Sequence, residues 1–116
     1  MAITGKWIFT AAMDVDTDRE ALFNEVYDRE HIPMITKVPG VISATRLKLD
    51  TLRITMGGQT KVIDPQGAPR YAVVYELDNP DVLTSPEFAK AVDQGRWPTH
   101  VRPFTCNRRH TLHKVL

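Results

Sequence analysis

Apolar and β-favouring residues cluster first in Trp7-Ile8-Phe9-Thr10-Ala11-Ala12-Met13, a short run that predicts a buried strand. Asp14-Val15-Asp16-Thr17-Asp18 then supplies helix-start chemistry: Asp16 is a candidate N-cap, and Thr17 with Glu20 fits a capping box. From Asp18 to about His31, the residues Leu22, Phe23, Val26, Tyr27, Glu30 and His31 recur at three- and four-residue spacing, the stripe of an amphipathic helix. Pro33 lacks an amide proton and pushes Ile32 out of the α region, so this helix is expected to end or kink near His31. A short turn over Met34–Lys37 can restart with Pro33 at its first position, and Val38-Pro39-Gly40 closes the segment.

Val41 to Leu49 alternates as a strand does. Ser43, Thr45, Leu47 and Leu49 share one face, and Ile42, Ala44, Arg46 and Lys48 the other. Residues 50–69 are irregular, with turn signals at Gly57-Gly58 and Pro65-Gln66-Gly67-Ala68-Pro69; within them Leu52–Thr55 and Lys61–Ile63 form a weak candidate hairpin. With few apolar anchors, this insertion is expected to be the most mobile part of the fold and a candidate lid. Arg70 to Leu77 is a strand with Tyr71, Val73, Tyr75 and Leu77 on one side. Asn79-Pro80 and Ser85-Pro86 pair an N-cap with a proline and announce a turn, then a second helix from Pro86 to Gln94 stopped by Gly95. Arg96 to Pro103 is a connection, and Phe104 to Val115 reads as the last strand.

The order strand, helix, strand, strand, helix, strand predicts a single α+β domain of ferredoxin-like βαββαβ type. Such a domain has a four-stranded antiparallel sheet with two helices on one face. Apolar residues fall on both faces of several strands, and monomers rarely leave such a face bare. Burial against an identical sheet predicts a homodimer that closes an α+β barrel.

Charge narrows the possible partners. Lys and Arg number 15 against 14 Asp and Glu, a net charge of +1, which gives no basic face for nucleic acid or membrane. Arg108-Arg109 with Lys114 is a short, interrupted cluster and reads as strand surface. The lone Cys106 offers neither a disulfide nor a metal-binding pair. No apolar stretch follows a basic start, and no run approaches the ~18 apolar residues of a membrane span. A cytoplasmic location is the expectation.

Phe23 and Tyr27 leading into Glu30-His31-Ile32-Pro33, then Val38-Pro39-Gly40-Val41 and Arg46, resemble the dimeric α+β barrel superfamily, and within it the EthD-like group. Arg70-Tyr71, Glu76-Leu77-Asp78 and Arg102-Pro103-Phe104 add to the likeness. The superfamily includes isomerases, lyases, cofactorless oxygenases and haem-dependent enzymes, so the resemblance implies a fold and leaves the reaction open.

The resemblance also implies that the end of the first helix lies near the barrel mouth. His31 is therefore a candidate general acid/base near neutral pH, contributing little to folding; the alternative is a helix-end histidine favoured by the dipole. Tyr27 either donates a hydrogen bond to a substrate oxygen or packs in the core, and Phe23, on the same stripe, is a candidate substrate contact. Glu30, like Asp28, either orients the His31 ring or lies on the solvated side with Arg29. His100 and Trp97, with Arg102, form a second group, in which Trp97 either walls an aromatic pocket or packs under the second helix. Arg46 either binds an anionic or carbonyl group or sits idle on a strand edge. His110 and His113 fall on opposite faces of the last strand, and Tyr71 and Tyr75 read as packing residues. No histidine or cysteine spacing favours a metal, no glycine motif cradles phosphate, and no nucleophile elbow occurs.

These residues point to a small-molecule enzyme with its pocket between sheet and first helix. The leading expectation is a cofactor-independent lyase or isomerase on a small aromatic, lactone or polyketide-like compound. The alternatives are a cofactorless oxygenase on a phenol or quinol, and a non-catalytic protein that binds a small molecule or haem through a single histidine.

Overall fold

The structure, a computed structural model, describes residues 3–116. Its first strand, β1 (Trp7–Val15), leads through a short 3-10 turn (Thr17–Arg19) into α1 (Glu20–Val26). A π turn (Tyr27–His31) and α2 (Ile32–Thr36) continue the same helical path to β2 (Val41–Lys48). β3 (Leu52–Met56) and β4 (Gln59–Ile63) follow, then β5 (Tyr71–Leu77), a 3-10 turn (Pro80–Thr84) and α3 (Pro86–Val92). A second π turn (Trp97–Val101) and a 3-10 turn (Arg102–Phe104) lead into β6 (Thr105–Lys114).

The main sheet has the order β2-β5-β1-β6, with every pairing antiparallel. With the β3–β4 hairpin set aside as an insertion, this is the ferredoxin-like βαββαβ arrangement. β5 is buried at every second residue, Tyr71, Val73, Tyr75 and Leu77, as its alternation predicts. Those residues, with Ala11, Met13 and Val15 of β1, meet Phe23, Val26 and Ile35 in the core. Ile42 drops out of the β2 alternation at a bulge opposite Leu77 and Glu76, and beyond it Ala44 and Arg46 face the helices.

Both Asn79 and Ser85 act as N-caps, accepting from the amides of Asp81 and Phe88. The first helix departs from expectation at its start. No Thr17–Glu20 capping box forms, because the Glu20 carboxylate turns to the sheet, where it accepts from the Tyr71 hydroxyl and pairs with Arg70 at 3.3 Å. At its other end the regular helix gives way before Pro33 and restarts with the proline in the first turn of α2, as the sequence suggested. The Ile32 amide bonds back to the Tyr27 carbonyl, five residues earlier, and this widened turn passes the chain around the proline ring into α2.

The insertion forms the hairpin, in full register from Leu52↔Ile63 to Met56↔Gln59. Gly57 and Gly58 both take positive φ, 59° and 78°, as a two-residue hairpin turn of this hand requires. Every residue of β3 and β4 is exposed.

Candidate functional site

The two π turns face each other over the helix-covered side of the sheet. The first puts Tyr27 and His31 one turn apart on its inner side, their rings edge to face at 5.1 Å. The second begins at Trp97, whose indole lies 4.7 Å from the Tyr27 ring and stacks on His31 at 4.4 Å and 24°. Below them lies a cavity of about 200 Å³. Its floor comes from Phe9, Ala11 and Met13 of β1, Tyr75 of β5 and Arg108 with His110 of β6; its roof adds Ile35, Phe88, Val92 and Arg102. Phe9 stacks on Tyr75 at 5.6 Å and 19°, so the floor is itself an aromatic platform.

His31 is only 6% exposed, and its Nδ1 is buried without a hydrogen-bond partner. Burial, reinforced by the charge of Arg102, pushes its pKa down to about 4. The imidazole is therefore neutral at pH 7, with one ring nitrogen free to accept a proton. This corrects the expectation of a group poised near neutrality, and its burial corrects the expectation of a small role in folding. Burial raises the pKa of the Tyr27 and Tyr75 hydroxyls, so both stay protonated and can donate.

The other residues singled out in the sequence go elsewhere. His100 points away from the cavity, exposed, with its ring nitrogen 2.8 Å from the Thr99 hydroxyl, because the second π turn buries Trp97 and Val101 on its inner side. Glu30 neither orients His31 nor pairs with Arg29. Its carboxylate takes the Arg96 amide at 2.9 Å and the Arg96 Nε at 2.6 Å, tying the second π turn to the first. Arg46 lies against the other side of the Tyr27 wall. It bonds Asp28 and Asn24 at 2.9 and 2.8 Å, with its guanidinium 4.8 Å from the Tyr27 ring centroid. Phe23 is core, 1% exposed, packed against Tyr27 at 5.0 Å. Trp97 does wall the cavity.

Arg108, His110 and Tyr75 are lining residues that sequence reasoning assigned no role in a site. The alternation Arg108, His110, Leu112 was legible, but with polar residues on both faces of β6 nothing in it said which face meets the helices. No residue of 50–69 lines the cavity, so the insertion is a hairpin arm and covers nothing there. Among the described residues no cluster of three or more His, Cys, Asp or Glu could hold a metal ion, and no helix is long and apolar enough to cross a membrane.

No protein-family model matches the chain, and no curated protein matches it by sequence. Solved structures match over nearly its whole length. A Bordetella bronchiseptica protein named as an antibiotic biosynthesis monooxygenase superposes with a TM-score of 0.64 at 15% identity, covering 97% of this chain and 99% of its own. An ethyl tert-butyl ether d (EthD) family protein from Bacillus halodurans gives 0.60 at 13%, covering 95% and 99%. The heme-degrader MhuD of Mycobacterium tuberculosis, solved with two hemes in its active site, gives 0.52 at 16%, covering 95% of each chain. The chain shares their ferredoxin-like fold.

Proposed function

We propose that this protein is a small-molecule enzyme, and that its reaction is a cofactor-independent oxygenation of an electron-rich phenol held in the cavity between sheet and helices. The observation that carries this reading is the neutral imidazole of His31, which lines an aromatic cavity together with Arg102 and Arg108. Such a site accepts a proton from a bound hydroxyl and stabilises the anion left behind.

A phenolate is electron-rich enough to give electrons to O2. For a phenol with a free para C–H, O2 forms a bond to that carbon, the O–O bond breaks, and one oxygen leaves as water with the two protons. Phenol plus O2 becomes quinone plus water, with the substrate supplying all the electrons. The proton transfer decides which phenols suit. An ordinary phenol, near 10, faces an imidazole at about 4, a gap of about 6 units or roughly 8 kcal/mol. The arginines and the new ion pair must close that gap, so a phenol already acidified by a neighbouring carbonyl is the favoured substrate.

The likeness in fold to proteins named as monooxygenases supports an oxygenase over the lyase or isomerase that the same proton acceptor would serve. Haem does not fit this cavity. At about 200 Å³ it falls below the roughly 300–1,000 Å³ of sites for drug-sized ligands, and a porphyrin is bulkier than those. A panel of para-unsubstituted naphthols and acyl-naphthols in an oxygen electrode tests the proposal. One O2 consumed per quinone formed, with activity lost in His31→Gln, is expected. Turnover that proceeds equally well under argon would replace the oxygenation with an isomerase or lyase step.

A further inference from the structure

We propose that the cavity selects small planar aromatic anions, carboxylates or ionised phenols, and that Arg108 is the residue that binds the charge; this rests on the cavity being the binding site. The first support is its inventory of charge. Arg102, Arg108, His31 and His110 line it, together with two protonated tyrosines, and no carboxylate does. The two arginines carry its charge, since the imidazole of His31 is neutral, and of the two only Arg102 has a carboxylate partner among the described residues.

The two arginines are not equivalent. The Arg102 Nη2 already bonds the Asp93 carboxylate at 2.8 Å and the Val92 carbonyl at 2.7 Å. Arg108 has no carboxylate partner among the described residues. Its Nε donates to the Thr105 hydroxyl at 3.1 Å and its Nη2 to the Arg102 carbonyl at 2.9 Å, and both bonds hold the guanidinium in place at the cavity. Nη1 makes no bond and is left to a ligand. A fork fixed before binding loses little freedom on pairing with an oxyanion. Local backbone sets it up: Asn107, at φ 50°, is the extra residue of a β6 bulge, anchored to Asp14 and the Gly67 carbonyl, and Arg108 follows directly.

The second support is the aromatic lining, where Phe9 stacks on Tyr75 at 5.6 Å and His31 on Trp97 at 4.4 Å. The field of the arginines also reaches the walls: Arg102 adds to the depression of the His31 pKa and Arg108 to that of His110, in each case second to burial. An aromatic ring against Phe9 and Tyr75, an oxyanion on Arg108 and a polar group near His31 would satisfy all these features. The volume limits the skeleton to one or two fused rings.

Calorimetric titration of the full chain with 2-naphthoate and with 2-naphthalenemethanol, the same skeleton with and without charge, tests this directly. The acid is expected to bind at least tenfold more tightly. Arg108→Gln, which keeps a hydrogen-bonding side chain beside Thr105, should bring the two within about twofold while leaving the alcohol's affinity unchanged. Equal affinity of the wild type for acid and alcohol overturns the proposal, and so does a preference that survives in Arg108→Gln. The wild-type comparison needs no variant, so it decides even where the variant fails to fold. Titration with 4-nitrophenol, whose phenolate absorbs in the visible, separates the phenol source from the carboxylate: bound at a pH below its own pKa, it should show the phenolate band. A band of the neutral phenol alone would exclude ionised phenols and overturn that half of the proposal. Selective acid binding without oxygen uptake would sink the oxygenation alone, and oxygen uptake with anion-indifferent binding would sink this proposal alone.

Discussion

The imidazole of His31 lies over the indole of Trp97, ring centroids 4.4 Å apart and planes 24° from parallel, joining two π turns that are 66 residues apart along the chain. Neither residue would meet the other in a regular helix-and-loop reading. Glu30 holds the contact in place by gripping Arg96, the residue before Trp97, through both its backbone and its side chain.

His31 therefore carries packing as well as chemistry. His31→Ala should cost roughly 2–3 kcal/mol, as for emptying a buried ring site. His31→Phe should cost much less, since it keeps the stack on Trp97 and removes a buried polar atom that has no partner. Urea midpoints measure both. A Phe variant as unstable as the Ala variant would mean that His31 has a bonding partner in solution.

Acid should weaken the fold before the carboxylates titrate. The folded pKa of His31, about 4, lies below its ordinary 6.5, so between those values the unfolded chain binds a proton that the native protein refuses. Stability is thus flat above pH 6.5 and falls as pH drops from 6.5 towards 4, by about 3 kcal/mol at most. His110, shifted the same way, adds to the same slope. Denaturation at pH 7 and pH 5 should show this loss in the wild type and a smaller one in His31→Phe. Equal losses in the two would assign the effect to other groups.

Gly95 is the hinge between α3 and the second π turn. Its φ is +69°, and a Cβ there would stand 2.6 Å from the Glu30 carboxylate oxygen. Gly95→Ala should cost about 2 kcal/mol, from left-handed strain together with the push on Glu30. Trp97 should then lose its buried environment, seen as red-shifted fluorescence. An unshifted spectrum at unchanged stability would show that Glu30 does not hold the turn.

The β3–β4 hairpin should exchange its amide protons far faster than β5. A two-stranded sheet with every residue exposed has little beyond its own ladder to hold it closed. Amides of Leu52–Ile63 are expected to exchange at least about 100-fold faster than those of Tyr71–Leu77. Comparable protection would mean that the arm packs on another chain.

The sheet face away from the helices carries Thr45 and Leu47 of β2, Ala72 and Val74 of β5, and Ile8 and Thr10 of β1, with Leu47 48% exposed. Light scattering should give about twice the 13.2 kDa chain mass, and Leu47→Glu should return it to that mass. A wild-type monomer at micromolar concentration would dismiss the barrel.

Where local chemistry decides the outcome, the sequence alone determined it. Period-two alternation in Tyr71–Leu77 fixed which side of β5 is buried, and Asn79 and Ser85, each beside a proline, fixed two helix starts. The paired glycines at 57–58 marked the hairpin turn, since few other residues tolerate that backbone, while the strands beside it were only weakly patterned. From these the βαββαβ order, and with it the sheet, could be read. Tertiary contact decided the site. Pro33 says only that a regular helix cannot continue; packing of Tyr27 and His31 against Trp97 chose a π turn over a break. Glu20 had equally good partners in its own first turn and across the sheet, and the position of Tyr71 and Arg70 settled the choice. Arg46 and His100 were plausible ligand groups by type, but direction depends on the register of β2 and on the second π turn, and both are long-range outcomes. Arg108 and His110 enter the cavity because β6 pairs with β1 in one register, a contact made across roughly a hundred residues that no local pattern encodes.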